Sequence, residues 1–181
     1  DSSRFESGAT ALKVEWCDLQ DVLGVVLRDM KEQINRYDVT TTVAMDLPLI
    51  RADGVLLEHV FSNVLDNAMK YSADGGKIDV QIFVEDQKVV CKITDQGCGV
   101  EKSEVVHIFE KFFRGKQSKK VAGSGLGLSI CKNIITAHHG EVTMESYPGK
   151  GSQITFSLPV NMDNAEMLLP EEAQDDGWKR G

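Results

Sequence analysis

Ile78, Val80, Ile82 and Val84 alternate with mostly polar neighbours. A side-chain period of two marks a strand that buries one face and leaves the other to water. Glu85–Lys88 supplies a hairpin turn into a second run, Val89–Asp95. Two more alternating stretches, Glu141–Ser146 and Gln153–Leu158, are joined by the turn Pro148-Gly149-Lys150-Gly151. A sheet with one apolar face needs a second layer to cover it. Asp18 caps a helix carrying Leu19, Val22, Leu23, Val26, Leu27, Met30 and Ile34 at helical spacing. Asp53 precedes a second helix running to about Ser72, and a third occupies roughly Leu126–His138 and stops at Gly140. A short strand is expected near Thr41–Met45. The pattern predicts an α+β fold, a two-layer α/β sandwich with a mixed, mostly antiparallel sheet and helices on one face.

With 181 residues the chain suits one domain with a sizeable core. Residues 1–17 read as a lead-in, in which Ser3-Arg4-Phe5-Glu6-Ser7-Gly8 looks like a helix end closed by glycine. Residues 18–160 form the domain proper. Residues 161–181, acidic at Glu171, Glu172, Asp175 and Asp176, form a tail with little apolar content. Residues 96–126, rich in glycine, lysine and serine around an aromatic knot, read as a mobile loop with one short helix. A net charge of −8 argues against a general nucleic-acid binder, which needs basic surface, and leaves nucleotides open. Cys17, Cys91, Cys98 and Cys131 are scattered with no CxxC pair, as expected of free thiols in a reducing cytosol. No apolar run approaches the ~20 residues that cross a bilayer, and no signal peptide opens the chain. The segment reads as soluble and not membrane-inserted, whatever a longer parent does.

Four blocks carry chemistry. On the second helix Val60, Phe61, Val64, Leu65, Ala68 and Met69 make an apolar stripe, and His59, Asn63, Asn67 and Lys70 fall on another face. Asparagine is a mediocre helix former. Two in register suit a hard cation through their amide oxygens, with a lysine one turn on for a phosphate; a solvated polar stripe is the alternative. Asp95-Gln96-Gly97-Cys98-Gly99 closes a strand. Its carboxylate can accept from the exocyclic amine of adenine and its glycines let backbone pass close to a base, or the block is simply a tight turn. Gly123-Ser124-Gly125-Leu126-Gly127-Leu128 opens directly into a helix, whose exposed amides suit an anion such as a triphosphate. It is neither a Rossmann turn nor a Walker A loop, because no strand leads into it and no Gly-Lys-Ser/Thr follows. Between them, Ile108-Phe109-Glu110-Lys111-Phe112-Phe113-Arg114-Gly115 is either core plus solvated rim or an aromatic anchor that delivers Arg114 to a phosphate.

The order and spacing of these blocks resemble the asparagine, first glycine, aromatic and second glycine boxes of sensor histidine kinases, members of the GHKL ATPase superfamily. The resemblance spans roughly residues 18–160. It implies a Bergerat-type ATP-binding fold with a mobile ATP lid, and ATP and Mg²⁺ as its ligands. It matches Asn63 and Asn67 to the magnesium-holding asparagines, Lys70 to the phosphate lysine and Tyr71 to the aromatic beside it. Asp95 matches the adenine-reading aspartate with Gly97 and Gly99 around the base, and Arg114 the arginine near the terminal phosphate. Gly123, Ser124, Gly125, Leu126, Gly127 and Leu128 match the phosphate-side loop. Cys98 departs from a common proline or small residue, and His139 from glycine in a His-Gly-Gly run. Arg4–Gly8, Glu15-Trp16 and Leu47–Asp53 look most like potassium-responsive sensor kinases.

The implied activity is transfer of the γ-phosphoryl of Mg·ATP to a histidine. The family's acceptor histidine is followed by an acidic residue and soon by proline, a context that His59, His107, His138 and His139 all lack. The acceptor therefore lies on an upstream dimerisation domain of the same protein, with Ser3–Gly8 its last turn. A response regulator is the further partner, and the setting is the cytoplasmic side of an inner-membrane sensor. The superfamily's hydrolases, such as chaperones, topoisomerases and mismatch-repair proteins, place glutamate where Asn63 stands, which favours the kinase. A nucleotide-binding module without catalysis and a purely structural domain are the other readings; intact boxes argue against both.

Overall fold

The computed structural model describes residues 11–116 and 123–161. The helix end expected at Ser3–Gly8, the lid residues 117–122 and the tail beyond 161 lie outside the described residues.

The elements follow in the order β1 (Glu15–Cys17), α1 (Leu19–Asp29), α2 (Lys31–Ile34), β2 (Asp38–Val43), β3 (Ile50–Ala52), α3 (Gly54–Tyr71), β4 (Lys77–Glu85), β5 (Lys88–Asp95), α4 (Lys102–Val105), α5 (Gly127–Ala137), β6 (Glu141–Tyr147) and β7 (Gly151–Pro159). A five-stranded sheet runs β2-β4-β5-β7-β6, parallel between β2 and β4 and antiparallel elsewhere. The expected mixed two-layer sandwich is the fold found.

Register explains why the sheet has one dry face. Val80 pairs Ile93 and Ile93 pairs Ile154; Ile82 pairs Cys91 and Cys91 pairs Phe156. All six side chains are buried. The intervening rows, Gln81–Lys92–Thr155 and Asp79–Thr94–Gln153, point the other way and are polar. The helices α1, α3 and α5 cover the dry face. Phe61 of α3 meets Phe156 of β7 edge-on, with centroids 5.2 Å apart at 70°. Both rings are fully buried, so truncating either to alanine is expected to cost about 3–5 kcal/mol.

Three local features differ from the sequence reading. Residues 15–17, read as part of a lead-in, pair antiparallel with residues 50–52 as a separate two-stranded sheet. Three-residue strands are too short to show a period. The first helix ends at Asp29, and a separate turn of helix spans Lys31–Ile34, with Met30 between them at φ −97°, ψ 14°. The short strand starts at Asp38 and ends at Val43, because its register is set by parallel pairing of Asp38–Val43 with Lys77–Ile82. His139 sits at φ 57°, a left-handed conformation that favours glycine. A glycine would take this conformation without a Cβ penalty, and the His139 backbone carries a local strain.

The C-terminal end of α5 is tied to the N-terminal end of α3. Fully buried His138 donates from Nδ1 to the Ile134 carbonyl at 2.7 Å and accepts at Nε2 from the Asp53 N–H at 2.9 Å. The Asp53 carboxylate accepts from the Leu56 N–H at 3.2 Å as the α3 N-cap and from the Lys13 N–H at 2.9 Å. This arrangement needs a neutral imidazole. Burial holds the His138 pKa below its ordinary 6.5, against the opposing pull of the Ile134 carbonyl and Asp53.

Candidate functional site

One face of α3 packs on the sheet through Leu57, Val60, Phe61, Val64, Leu65 and Ala68, all buried. The adjoining face carries Asn63, Asp66, Asn67, Lys70 and Tyr71 at spacings of three, four and seven or eight residues, so they stack along one edge of the helix. These five line a cavity of about 230 Å³. His59, expected on the same face, lies outside it.

Asp95, Gly99 and Ser152 come into the cavity from the end of β5, the loop after it and the start of β7. Pairing of Asp95 with Ser152 puts them side by side. Asp95 Oδ1 accepts from the Gly97 N–H at 2.8 Å and the Ser152 N–H at 3.3 Å; among the described residues Oδ2 accepts none. Asp95 is 6% exposed. Burial raises its pKa above the ordinary 3.8, partly countered by those two N–H bonds.

The loop after Asp95 is fixed at several points. The Cys98 N–H donates to the Tyr71 carbonyl at 3.2 Å, the Gly149 N–H to the Cys98 carbonyl at 2.7 Å and the Val100 N–H to Ser146 Oγ at 2.7 Å. Gly99, at φ 70°, has its Cα against the Tyr147 carbonyl, leaving no room for a Cβ. Gly97 packs on the Tyr71 carbonyl and does not line the cavity. Burial raises the pKa of Cys98, so this thiol stays protonated at neutral pH.

The opposite wall is the turn into α5. Gly123, Ser124, Gly125, Gly127 and Leu128 line the cavity, whereas Leu126 does not. Gly125 has φ 75°, and its carbonyl accepts from the Phe112 N–H at 3.0 Å, which ties the aromatic block to the glycine turn. Leu126 occupies the N-cap without a side-chain cap bond. The first-turn amides of α5 therefore have no side-chain cap, and they sit where the helix dipole favours an anion. Asn63 Nδ2 donates to the Gly127 carbonyl at 3.3 Å, joining α3 to this turn.

Arg114, Gly115, Phe113 and Ile108 also line the cavity, while Phe112, 69% exposed, stands outside. Lys70 Nζ pairs with Asp66 at 2.8 Å, one turn back on α3. Both partners are about half-exposed, so the pair contributes only about 0.3–0.5 kcal/mol, and a phosphate can compete for the ammonium. Asn63 and Asn67 offer neutral amide oxygens one turn apart. Among the described residues no group of three or more His, Cys, Asp or Glu is gathered for a metal. This donor set suits a hard cation that arrives bound to phosphate oxygens.

Sequence reasoning did not single out Asp66, Glu104, Met144 or Ser152 for the cavity, though all four line it. Asp66 was within reach of helical spacing, three residues from Asn63. Met144 and Ser152 arrive through strand pairing, which no local pattern announces.

A covered α/β sandwich with a polar cavity against an uncapped helix start is the architecture of a nucleotide-binding domain. Residues 52–162 match the family described as histidine kinase-, DNA gyrase B-, and HSP90-like ATPase, and the chain belongs to that ATPase family. Within it the chain has the character of a sensor histidine kinase's ATP-binding catalytic domain, as the four blocks predicted. It is 36% identical over 146 residues to the adaptive-response sensory kinase SasA of Thermosynechococcus vestitus, covering 79% of this chain and 38% of SasA. It is 34% identical over 159 residues to the sensor protein KdpD of Escherichia coli, covering 88% of this chain and 18% of KdpD. The solved structure of the mycobacterial sensor histidine kinase MprB superposes with a TM-score of 0.72 at 30% identity, covering 81% of this chain and 97% of that one. The chain thus spans less than half the length of these curated relatives.

Proposed function

We propose that this chain transfers the γ-phosphoryl group of Mg·ATP to a histidine on an upstream dimerisation domain of its own protein, from which a response regulator is served. The observation that carries this reading is the meeting of Asn63, Lys70, Asp95 and Arg114, from three separate segments, on one cavity walled by the start of α5. In this reading Asp95 accepts from the adenine amine and the turn Gly123–Leu128 presents backbone amides to the phosphates. Lys70 and Arg114 stabilise charge at the phosphate end. Asn63 and Asn67 hold Mg²⁺, which supplies further charge neutralisation when bound. An imidazole nitrogen forms the new N–P bond with its lone pair, the bond from the γ-phosphorus to the bridging oxygen breaks, and its electrons leave on ADP. Positioning and charge stabilisation carry such a step.

Asn63 separates this from hydrolysis, because a carboxamide cannot take a proton from water. A finer reading makes the parent a potassium-responsive sensor. Its support is the resemblance of Glu15-Trp16 and Leu47–Asp53, together with the likeness to KdpD. We place the domain on the cytoplasmic side of an inner-membrane sensor. Among the described residues no helix is long and apolar enough to cross a membrane.

The test is ATP titration with and without Mg²⁺, followed by addition of a separately expressed acceptor-helix domain and radiolabelled ATP. The chain alone binds ATP and stays unlabelled; the added domain acquires an acid-labile, alkali-stable label, slowly, without the effective concentration that a covalent linkage provides. Stable labelling of His59, His107, His138 or His139 in the isolated chain refutes the division of labour. Rapid release of phosphate without an acceptor favours the hydrolase.

A further inference from the structure

Glu104 is the third residue of α4, half-buried at the edge of the cavity beside Arg114 and Gly115. A solvated acid on a short helix accounts for neither of its contacts. Its Oε1 accepts from the Lys116 N–H at 2.9 Å, twelve residues ahead. Its Oε2 lies so near Gly115 that a Cβ there would stand 3.1 Å from it. The carboxylate thus grips the backbone immediately after Arg114. Its own footing is firm: the Glu101 carbonyl accepts from the Glu104 and Val105 N–H groups at 2.8 and 3.1 Å, and Val100 is bound to Ser146 of β6 at 2.7 Å. A continuous run of contacts therefore leads from the sheet to the segment that carries Arg114.

We propose that Glu104 is a positioning residue for Arg114, fixing residues 114–116 at the cavity so that the guanidinium is held at its phosphate end; this rests on the reading of the cavity as the ATP site. An unengaged carboxylate beside a polyanion is unfavourable by Coulomb's law, which makes a purely electrostatic role for Glu104 at this place self-defeating. Its value is as an acceptor. A long side chain on an unanchored backbone samples many positions, and anchoring the backbone beside it reserves more of that population for the reactive one.

The test compares Glu104→Ala and Glu104→Gln in this chain, alone and in an Arg114→Ala background, with ADP affinity, ATP affinity and phosphoryl transfer to an added acceptor domain as readouts. Glu104→Ala is expected to slow transfer by about tenfold while ADP affinity changes by less than about twofold. Glu104→Gln, whose side-chain carbonyl still accepts from the Lys116 N–H, recovers most of the rate. In the Arg114→Ala background Glu104→Ala has no further effect, because the two act as one unit. Wild-type transfer by Glu104→Ala, additivity with Arg114→Ala, or equal damage from glutamine overturns the proposal. Amide exchange at Gly115 and Lys116 without nucleotide judges the grip itself: faster exchange in Glu104→Ala supports it, unchanged exchange refutes it. That measurement stands even if the wild-type chain transfers no phosphate, in which case it is the function proposed above that fails.

Discussion

Replacing Asp95 by asparagine changes one oxygen to an amide nitrogen at the buried end of β5. Oδ1 is committed to the Gly97 and Ser152 N–H groups at 2.8 and 3.3 Å. An asparagine orients its carbonyl to keep both, which leaves its NH₂ where Oδ2 stood, the oxygen that accepts from no described residue. The adenine amine, a donor, would then face a donor. The ligand loses a charge-assisted hydrogen bond in a partly buried place, worth about 1.5–3 kcal/mol, or roughly 10- to 150-fold in Kd. The fold has little reason to suffer, since burial already disfavours the ionised carboxyl and the backbone bonds survive. Calorimetric titration with ADP, beside a thermal melt of the same sample, separates the two effects. The expected result is a Kd raised by about one to two orders of magnitude with a melting temperature within about 4 °C of wild type. Unchanged ADP affinity in a folded variant removes Asp95 from adenine recognition.

Asn67→Ala replaces a mediocre helix former by the best one, a gain of up to about 0.7 kcal/mol; thermal stability should hold or rise while Mg²⁺-dependent ATP binding or transfer falls. Normal transfer across a magnesium titration assigns the metal to Asn63 or elsewhere. His139→Gly relieves the left-handed conformation at φ 57° and should stabilise by about 0.5–1 kcal/mol after glycine's own entropy cost, seen as a melting temperature higher by about 1–4 °C. A lower melting temperature refutes the strain. His138 has a folded-state pKa below the ordinary 6.5, so the unfolded state binds the proton more readily; its stabilising contribution is complete above 6.5 and is lost as pH falls below it toward the folded value. Half-buried His59, also lowered chiefly by burial, adds in the same direction. NMR titration of the His138 ring should find it neutral below pH 6.5; titration at or above 6.5 contradicts the buried, neutral imidazole.

Elements with a repeating local signal were legible in the sequence, and those created by partners were not. The long strands β4 and β7 alternate buried and open positions over most of their length, enough for a period to declare itself, whereas β5, with Val89, Val90 and Cys91 buried in a row, was legible from the turn that leads into it. The hairpin at Asp86-Gln87 was read from its position between alternating runs; both residues take left-handed conformations, φ 49° and 58°, as a two-residue turn matching strand twist requires. β1 and β3 exist only because each supplies the other's hydrogen bonds. Met30 carries a helical apolar pattern across a point where the helix nonetheless ends. The pattern reports which residues want burial, and α1 and α2 satisfy it without being one helix.

The site shows the same division on a smaller scale. The face Asn63–Asn67–Lys70 could be read because helical geometry alone stacks it, yet His59, four residues before Asn63, is not part of the cavity. At 3.6 residues per turn each step of four overshoots a full turn by about 40°, so a row at this spacing winds around the helix. The neighbouring helix also sets where the row stops being available. Gly127 begins α5 against Asn63, whose Cγ would lie 3.7 Å from a Cβ there. One turn further along α5, Cys131 Sγ lies 3.8 Å from the Val60 carbonyl. The two helices are therefore in contact from Asn63 toward the start of α3, and α5 itself begins opposite Asn63, so α3 runs on beyond it. The cavity is lined by the residues of α3 from Asn63 onward. Sequence periodicity identified the polar row on α3, and the point at which α5 begins decided which members of that row can meet a ligand.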